Sequence, residues 1–285
     1  MATRFNSQKT IEILHKYDFV LKKKYGQNFL CDARVPERIA EAAMIEKSDH
    51  IIEIGPGIGT LTQLLCEKAG SVTAVEIDKS LIPILEETLS DYDNVKILNA
   101  DIMKLDLESY IRDEVGEEDV SVVANLPYYI TTPIILMLLE KKLPLKRITV
   151  MVQAEVAERM KAGPGTKDYG ALSLAVQYHS DPKIVFNVPP HCFIPRPEVT
   201  SSVITMEILR DKKIPVKNED HMFKLIRAAF NQRRKTLANA LGNDPGLSLD
   251  KKKVTEALCS MGLNENIRGE ALTLQEFAML SDLLS

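Results

Sequence analysis

Three glycines and two acids, at set spacings, are the residues of this chain best suited to holding a small molecule. In EIGPGIGTLT (Glu53–Thr62), Gly55, Gly57 and Gly59 alternate with bulkier residues. Glycine lacks a Cβ, so such a loop can turn sharply and bring its backbone against a ligand. Glu76 and Asp101 end two later apolar runs, SVTAVEID and VKILNAD. A carboxylate at the first position can accept hydrogen bonds from both hydroxyls of a ribose. One at the second can accept from an adenine amino group while the Ile102 N–H donates to the ring. A purely structural turn would need fewer glycines, and either acid alone reads as an ordinary loop carboxylate. Together they fall at the carboxyl ends of consecutive strands, where open α/β sheets bind ligands.

A dinucleotide fingerprint would need glycine three places after Gly57, and Thr60 stands there. The spacing G-x-G-x-G is the one used by S-adenosylmethionine (SAM) enzymes, so SAM is the expected cofactor. A fourth apolar run then stops at a second chemical group, in VVANLPYYIT (Val122–Thr131). Asn and Pro are turn residues, and a turn is the bland explanation. The tetrapeptide Asn125-Leu126-Pro127-Tyr128 also resembles the [Asn/Asp]-Pro-Pro-[Tyr/Phe]-type motif of SAM-dependent enzymes that methylate exocyclic amino groups. That resemblance implies a chemistry. The adenine N6 lone pair is delocalised into the ring, which makes the amine a poor nucleophile. The side-chain oxygen of Asn125 and the backbone oxygen of Leu126 could both accept from the N6 hydrogens and draw nitrogen towards a tetrahedral shape. Pro127 stiffens the turn, and Tyr128 offers a face for the base. The base must be flipped or unpaired to enter. Orientation supplies most of the rate. No histidine is placed as a general base, and none is assigned.

These residues need a scaffold that sets strand ends side by side. Strands are predicted at His50–Gly55, Ser71–Asp78, Val95–Asp101, Val120–Leu126 and Arg147–Gln153, with later ones at Lys183–Val188 and Ser201–Leu209. GTLTQLLCEKA and KSLIPILEETLS, which fall between the early strands, carry apolar residues at three- and four-residue spacing and read as helices. Such alternation predicts an α/β fold, a Rossmann-like methyltransferase sheet with helices on both faces. After Leu209 the chain turns polar, in RDKKIPVKNED, and no strand run follows. Residues 1–209 are therefore expected to form the methyltransferase domain with an N-terminal extension. Residues 210–219 are a linker, and 220–285 a small helical domain.

The 285 residues carry a net charge of −4, which at first argues against a nucleic-acid partner. The distribution weakens that objection, because affinity for a polyanion depends on local patches. His221–Asn243 holds Lys224, Arg227, Arg233, Arg234 and Lys235 and no acid. LKKKYG (Leu21–Gly26) and EKKLPLKR (Glu140–Arg147) are further basic clusters, although a charge cluster is usually a solvated face. No apolar run is long enough to span a membrane, and MATRFNSQKT has no secretory-type hydrophobic stretch. Cys31, Cys66, Cys192 and Cys259 are scattered, fit reduced thiols in a cytoplasmic protein, and form no Cys/His cluster, so no metal is expected.

Across nearly its whole length the chain resembles the bacterial small-subunit rRNA adenine N6,N6-dimethyltransferases. The likeness is carried by YGQNFLCD, EIGPGIGTLT, NLPYYITTPI, EVAERMKAGPGTKDYGALS, VPPHCFIPRPEVTSSV and RRKTLANAL. It implies that Asn28 and Leu30 close over SAM from the N-terminal side, and that Phe193 stacks on the face of the target adenine opposite Tyr128. It implies two adjacent adenosines in a hairpin loop near the 3′ end of small-subunit rRNA as target, an immature small subunit as partner, and action as a monomer. Arg227, Arg233 and Arg234 would grip the RNA backbone. Two alternatives stay open. One is a large-subunit rRNA adenine methylase of the macrolide-resistance type, against which Leu126 and PGTKDYG count. The other is a non-catalytic rRNA-binding assembly factor, which could lose Glu76, Asp101 or Asn125 without penalty. A nicotinamide oxidoreductase is disfavoured by Thr60.

Overall fold

The computed structural model of the chain describes residues 7–22, 25–116, 119–141, 143–212 and 214–285. Lys23 and Lys24 of one basic cluster, Lys142 of another and Lys213 of the polar stretch lie outside the described residues. The chain forms two units, Met1–Ala157 with Asp181–Ile208, and Glu158–Ser180 with Leu209–Ser285.

The first unit is built on strands β2 (Asp49–Ile54), β3 (Ser71–Glu76), β4 (Val95–Asn99), β5 (Asp119–Asn125), β6 (Leu145–Gln153), β7 (Ser180–Val188) and β9 (Ser201–Ile208). They form one sheet in the order β4-β3-β2-β5-β6-β9-β7. The five strands from β4 to β6 are parallel to their neighbours, and β9 runs antiparallel to β6. Consecutive residues Ile51 and Ile52, and Val122 and Val123, are all fully buried. Neighbours along a strand point to opposite faces, so both faces of the sheet are covered. On one face, Ile39 and Ala40 of α2 (Arg34–Ala42) and Leu61 and Leu65 of α3 (Thr60–Lys68) pack with Ile51, Val72, Val123 and Met151. The remaining helices of this unit are α1 (Ser7–Lys16), α4 (Ile82–Thr88), α5 (Leu107–Tyr110), α6 (Thr131–Glu140) and the start of α7 (Ala154–Lys161). Asp32, just before α2, accepts a hydrogen bond from the Arg34 N–H at 3.1 Å.

From β2 the chain moves outwards through β3 to β4, then returns to lay β5 on the other side of β2. The connections therefore diverge between β2 and β5, which opens a crevice at the carboxyl ends of those strands. A short antiparallel ribbon that the sequence did not announce, β1 (Phe29–Leu30) with β8 (Phe193–Ile194), pairs Leu30 with Phe193.

The second unit takes α8 (Ala171–His179), α9 (Glu219–Asn231), α10 (Leu237–Gly242), α11 (Lys251–Ser260) and α12 (Leu274–Leu284). Its bounds correct the expected ones, since Glu158–Ser180 belongs to it and not to the sheet domain. The reason is packing. Tyr169 meets Phe230 edge-on at 5.8 Å and donates its hydroxyl hydrogen to Leu272 O at 2.8 Å. Tyr178 meets Phe223 edge-on at 5.4 Å, and His179 stacks on the same ring. This segment thus supplies part of the helical core.

Candidate functional site

The crevice holds a cleft of about 1030 Å³, open solvent at its mouth included. Its walls bring together Asn28, Leu30, Gly55, Gly57, Glu76, Asp101, Ile102, Asn125, Leu126, Pro127 and Tyr128. Residues up to a hundred positions apart in sequence meet there because the sheet sets the ends of β2 to β5 side by side and the β1–β8 ribbon brings Asn28 and Leu30 against them.

On the β3 and β4 side the cleft is acidic. Gly55 and Gly57 take φ of +70° and +62°, a region that strains other residues. A Cβ on Gly57 would come within 3.1 Å of the Phe29 ring, so this glycine lets the N-terminal segment close against the loop. Glu76 is almost fully buried. Its Oε1 accepts from Asp78 N at 2.8 Å, and Oε2 accepts from Gly57 N at 3.4 Å. Burial outweighs those bonds and pushes the carboxyl up to about 7. Asp101 accepts from Met103 N at 3.0 Å and stays partly exposed, with Lys104 at 3.6 Å. These groups fit SAM: an open glycine loop, a buried carboxyl at the end of β3 and a second carboxylate just after β4.

Glu53 opens the glycine motif and is not among the expected site residues. It is buried in β2, its carboxyl is pushed up to about 8 by burial, and Oε2 has no hydrogen-bond partner among the described residues. The signal was present in the sequence as an acid inside the otherwise apolar HIIEI.

On the β5 side the cleft is neutral. The Asn125 side chain donates from Nδ2 to the backbone oxygen of Asn28 at 3.2 Å. That bond fixes which end of the carboxamide is which, and commits its nitrogen to the protein. Leu126 is buried, and its N–H donates to Met151 O at 3.1 Å. Pro127 holds φ at −61° before the turn Tyr128–Ile130. The half-buried Tyr128 shares a 2.7 Å hydrogen bond between its hydroxyl and Ser201 Oγ, which anchors the ring by its far end. Burial pushes this phenol up. Tyr129, for which no role was foreseen, stands at the mouth with 56% of its surface exposed.

Two of the expected site residues are engaged within the protein itself. Phe193 is 1% exposed and packs in the core cluster with Leu30, Val35 and Ile39, so neither ring face is open to a base. Its place is behind Leu30, across the β1–β8 ribbon. Arg233 is committed within the helical unit. Its Nε donates to Glu270 Oε2 at 2.7 Å, and its two terminal nitrogens donate to Lys167 O at 2.6 Å and Thr166 O at 3.0 Å. Arg227, on α9, and Arg234 are exposed.

A family model described as ribosomal RNA adenine dimethylase matches residues 18–284. The ribosomal RNA small subunit methyltransferase A of Lachnoclostridium phytofermentans is 58% identical over 285 residues, covering 100% of this chain and 98% of the relative. The protein of the same name from Clostridioides difficile is 50% identical over 277 residues, covering 97% and 95%. A dimethyladenosine transferase structure from Plasmodium falciparum superposes with a TM-score of 0.74 at 26% identity, covering 88% of this chain and 95% of that one. The 23S rRNA methyltransferase ErmE superposes with a TM-score of 0.65 at 25% identity, covering 90% and 99%.

Proposed function

Because the chain belongs to the ribosomal RNA adenine dimethylase family, we propose that it dimethylates N6 of two adjacent adenosines in the 3′-terminal hairpin loop of small-subunit rRNA. The observation that carries this reading is the Asn125 carboxamide, whose nitrogen is tied to Asn28 O in the cleft that also holds Glu76 and Asp101. With Nδ2 so engaged, Oδ1 is left to accept from the target amine. Leu126 O supplies the second acceptor, and the two together localise the nitrogen lone pair. Tyr128, held by Ser201, gives the base a fixed wall.

SAM, when bound, supplies a methyl group on a sulfonium sulfur. Glu76 accepts from the ribose hydroxyls, Asp101 and the Ile102 N–H recognise the adenine, and Asn28 and Leu30 close the cleft from the N-terminal segment. After transfer, the methylated amine is cationic and acidic, and its proton passes to water or to the oxygen cradle. Holding the amine in line accounts for most of the acceleration, as effective molarities of about 10⁵ M or more allow. A monomethylated amine keeps one N–H for two acceptors, so the second transfer differs in rate from the first.

Arg227 and Arg234 carry the RNA backbone on the helical unit. The chain acts as a monomer on the immature small subunit in the cytoplasm, where that RNA is found, and contributes to small-subunit biogenesis. A large-subunit RNA is the second reading, favoured by the superposition with ErmE. Identities of 58% and 50% to proteins named for the small subunit, against 25%, support the first. The test is to incubate the protein and labelled SAM with undermethylated small subunits and, separately, with large-subunit RNA. Nucleosides are then identified by mass spectrometry. Dimethyladenosine in the small-subunit RNA is expected. Label confined to the large-subunit RNA, or absent from both, overturns the proposal.

A further inference from the structure

We propose that Asp78, a buried residue outside the cleft's lining, is a positioning residue that sets the Asn125 carboxamide for methyl transfer through the N-terminal segment. This rests on the function proposed above. The Asn125 oxygen presents itself to an amine only while its nitrogen is held by Asn28 O, so whatever fixes Asn28 fixes the acceptor. Downstream, Asn28 is anchored by the pairing of Phe29 and Leu30 with β8. Upstream, the anchor is Asp78. Its Oδ1 accepts from Lys22 Nζ at 2.6 Å, and Oδ2 accepts from Gln27 Nε2 at 2.8 Å. Gln27 is oriented in turn, because its Oε1 accepts from Lys22 N at 2.9 Å.

An aspartate just after a strand has an ordinary explanation as a helix cap. Asp78 does that too, since Oδ1 accepts from Ser80 N at 3.1 Å and from Ser80 Oγ at 2.7 Å. Capping needs one oxygen and local donors only. Lys22 and Gln27 come from more than fifty residues upstream, and Gln27 takes the oxygen that the cap leaves over. Burial raises this carboxyl, but the bonds from Lys22, Ser80 and Gln27 outweigh it and hold it below the usual carboxylate range. It therefore stays ionised and grips both donors at neutral pH. The Asp78 N–H meanwhile donates to Glu76. One residue thus joins the acidic end of the cleft to the segment that orients the neutral end.

The test is a double-mutant cycle in single-turnover assays on undermethylated small subunits. Asp78→Ala is expected to lower the rate of transfer at saturating SAM by about ten- to a hundredfold, the scale of a misplacement near 1 Å. SAM affinity should change much less, because the backbone bond to Glu76 survives. Asn125→Asp keeps an acceptor oxygen but has no donor for Asn28 O. In that background Asp78→Ala should cost nothing more. Lys22→Ala removes one tether, and with it a 2.8 Å bond to Ser80 Oγ, but leaves the bond from Ser80 N to Asp78 and the cleft wall in place; it should give a smaller loss that likewise vanishes with Asn125→Asp, and it serves if Asp78→Ala does not fold. Losses that multiply in the Asn125→Asp background, or an unchanged rate in both variants, overturn the inference while leaving the proposed function standing. A wild-type chain silent on both RNAs would sink both.

Discussion

The two ends of the cleft solve different problems with residues in equivalent places. Glu76 ends β3, Asp101 follows β4 and Asn125 ends β5, so the backbone presents all three in the same way. On the β3 side the protein buries carboxyls, with Glu76 pushed up to about 7 and Glu53 to about 8. Burial thus favours the protonated form of both. On the β5 side it places a half-buried carboxamide, which costs less to desolvate and can be aimed by one hydrogen bond. Charge holds a ligand wherever it sits, whereas a lone pair must be aimed. On the function proposed, affinity would be set at one end and turnover at the other.

The largest effect should follow from breaking the neutral end. Asn125→Ala is expected to lower kcat by about 10²–10³-fold, as removal of a preorganised polar group does elsewhere. SAM affinity, by calorimetry, should stay within a few-fold. An equal loss in both would erase the distinction between the ends.

At the acidic end the loss should appear in binding. Glu76→Ala is expected to weaken SAM by about ten- to a hundredfold, the worth of hydrogen bonds to a charged group, with kcat at saturation much less affected. The pH dependence follows from the raised carboxyl. The folded, ligand-free chain keeps a proton on Glu76 that the unfolded chain releases near the ordinary value of 4.5. Its contribution to stability is therefore present below about 4.5 and is lost as pH rises towards about 7. SAM selects the ionised form, so its affinity should climb over that same window, by up to about tenfold per pH unit, and level off above it. Glu76→Gln should flatten the climb; a wild-type affinity indifferent to pH would remove the assignment.

This division also explains what could be read without coordinates. Short apolar runs alternating with helical patterns pointed to the parallel strands, and parallel order alone brings their carboxyl ends together. Hence Gly55, Glu76, Asp101 and Asn125 were legible as one site. Phe193 was not, because its motif, CFIP, says nothing about whether the ring points to a ligand or to a core. The two-residue β1–β8 ribbon that buries it is too short for any periodicity. Glu158–Ser180 was misassigned for a similar reason: its partners, Phe223, Phe230 and Leu272, lie far along the chain. Arg233 looked like its neighbour Arg234 until the structure gave it three protein acceptors. The two should separate cleanly. Arg233→Ala is expected to lower stability by about 1–2 kcal/mol and leave the salt dependence of RNA binding alone. Arg234→Ala should leave the melting temperature alone and reduce the salt slope by about one. An effect of Arg233→Ala on the slope, with no change in melting, would restore the sequence-based role.

The smallest effect refines the neutral end further. Tyr128→Phe keeps the ring and removes only the hydroxyl that meets Ser201. If the bond merely anchors the ring, its loss should cost about two- to tenfold in kcat, the range of one neutral hydrogen bond. Ser201→Ala should cost a similar amount, and the double variant no more than either, because both remove the same contact. The loss should fall more heavily on the second methylation, where one N–H fewer holds the base and the ring wall matters more. It should also be flat between pH values of about 4.5 and about 7, the window in which Glu76 titrates, since neither hydroxyl changes charge there. A loss confined to SAM affinity, or one that tracks the titration of Glu76, would mean that the two ends are not separable and that Tyr128 serves the cofactor side.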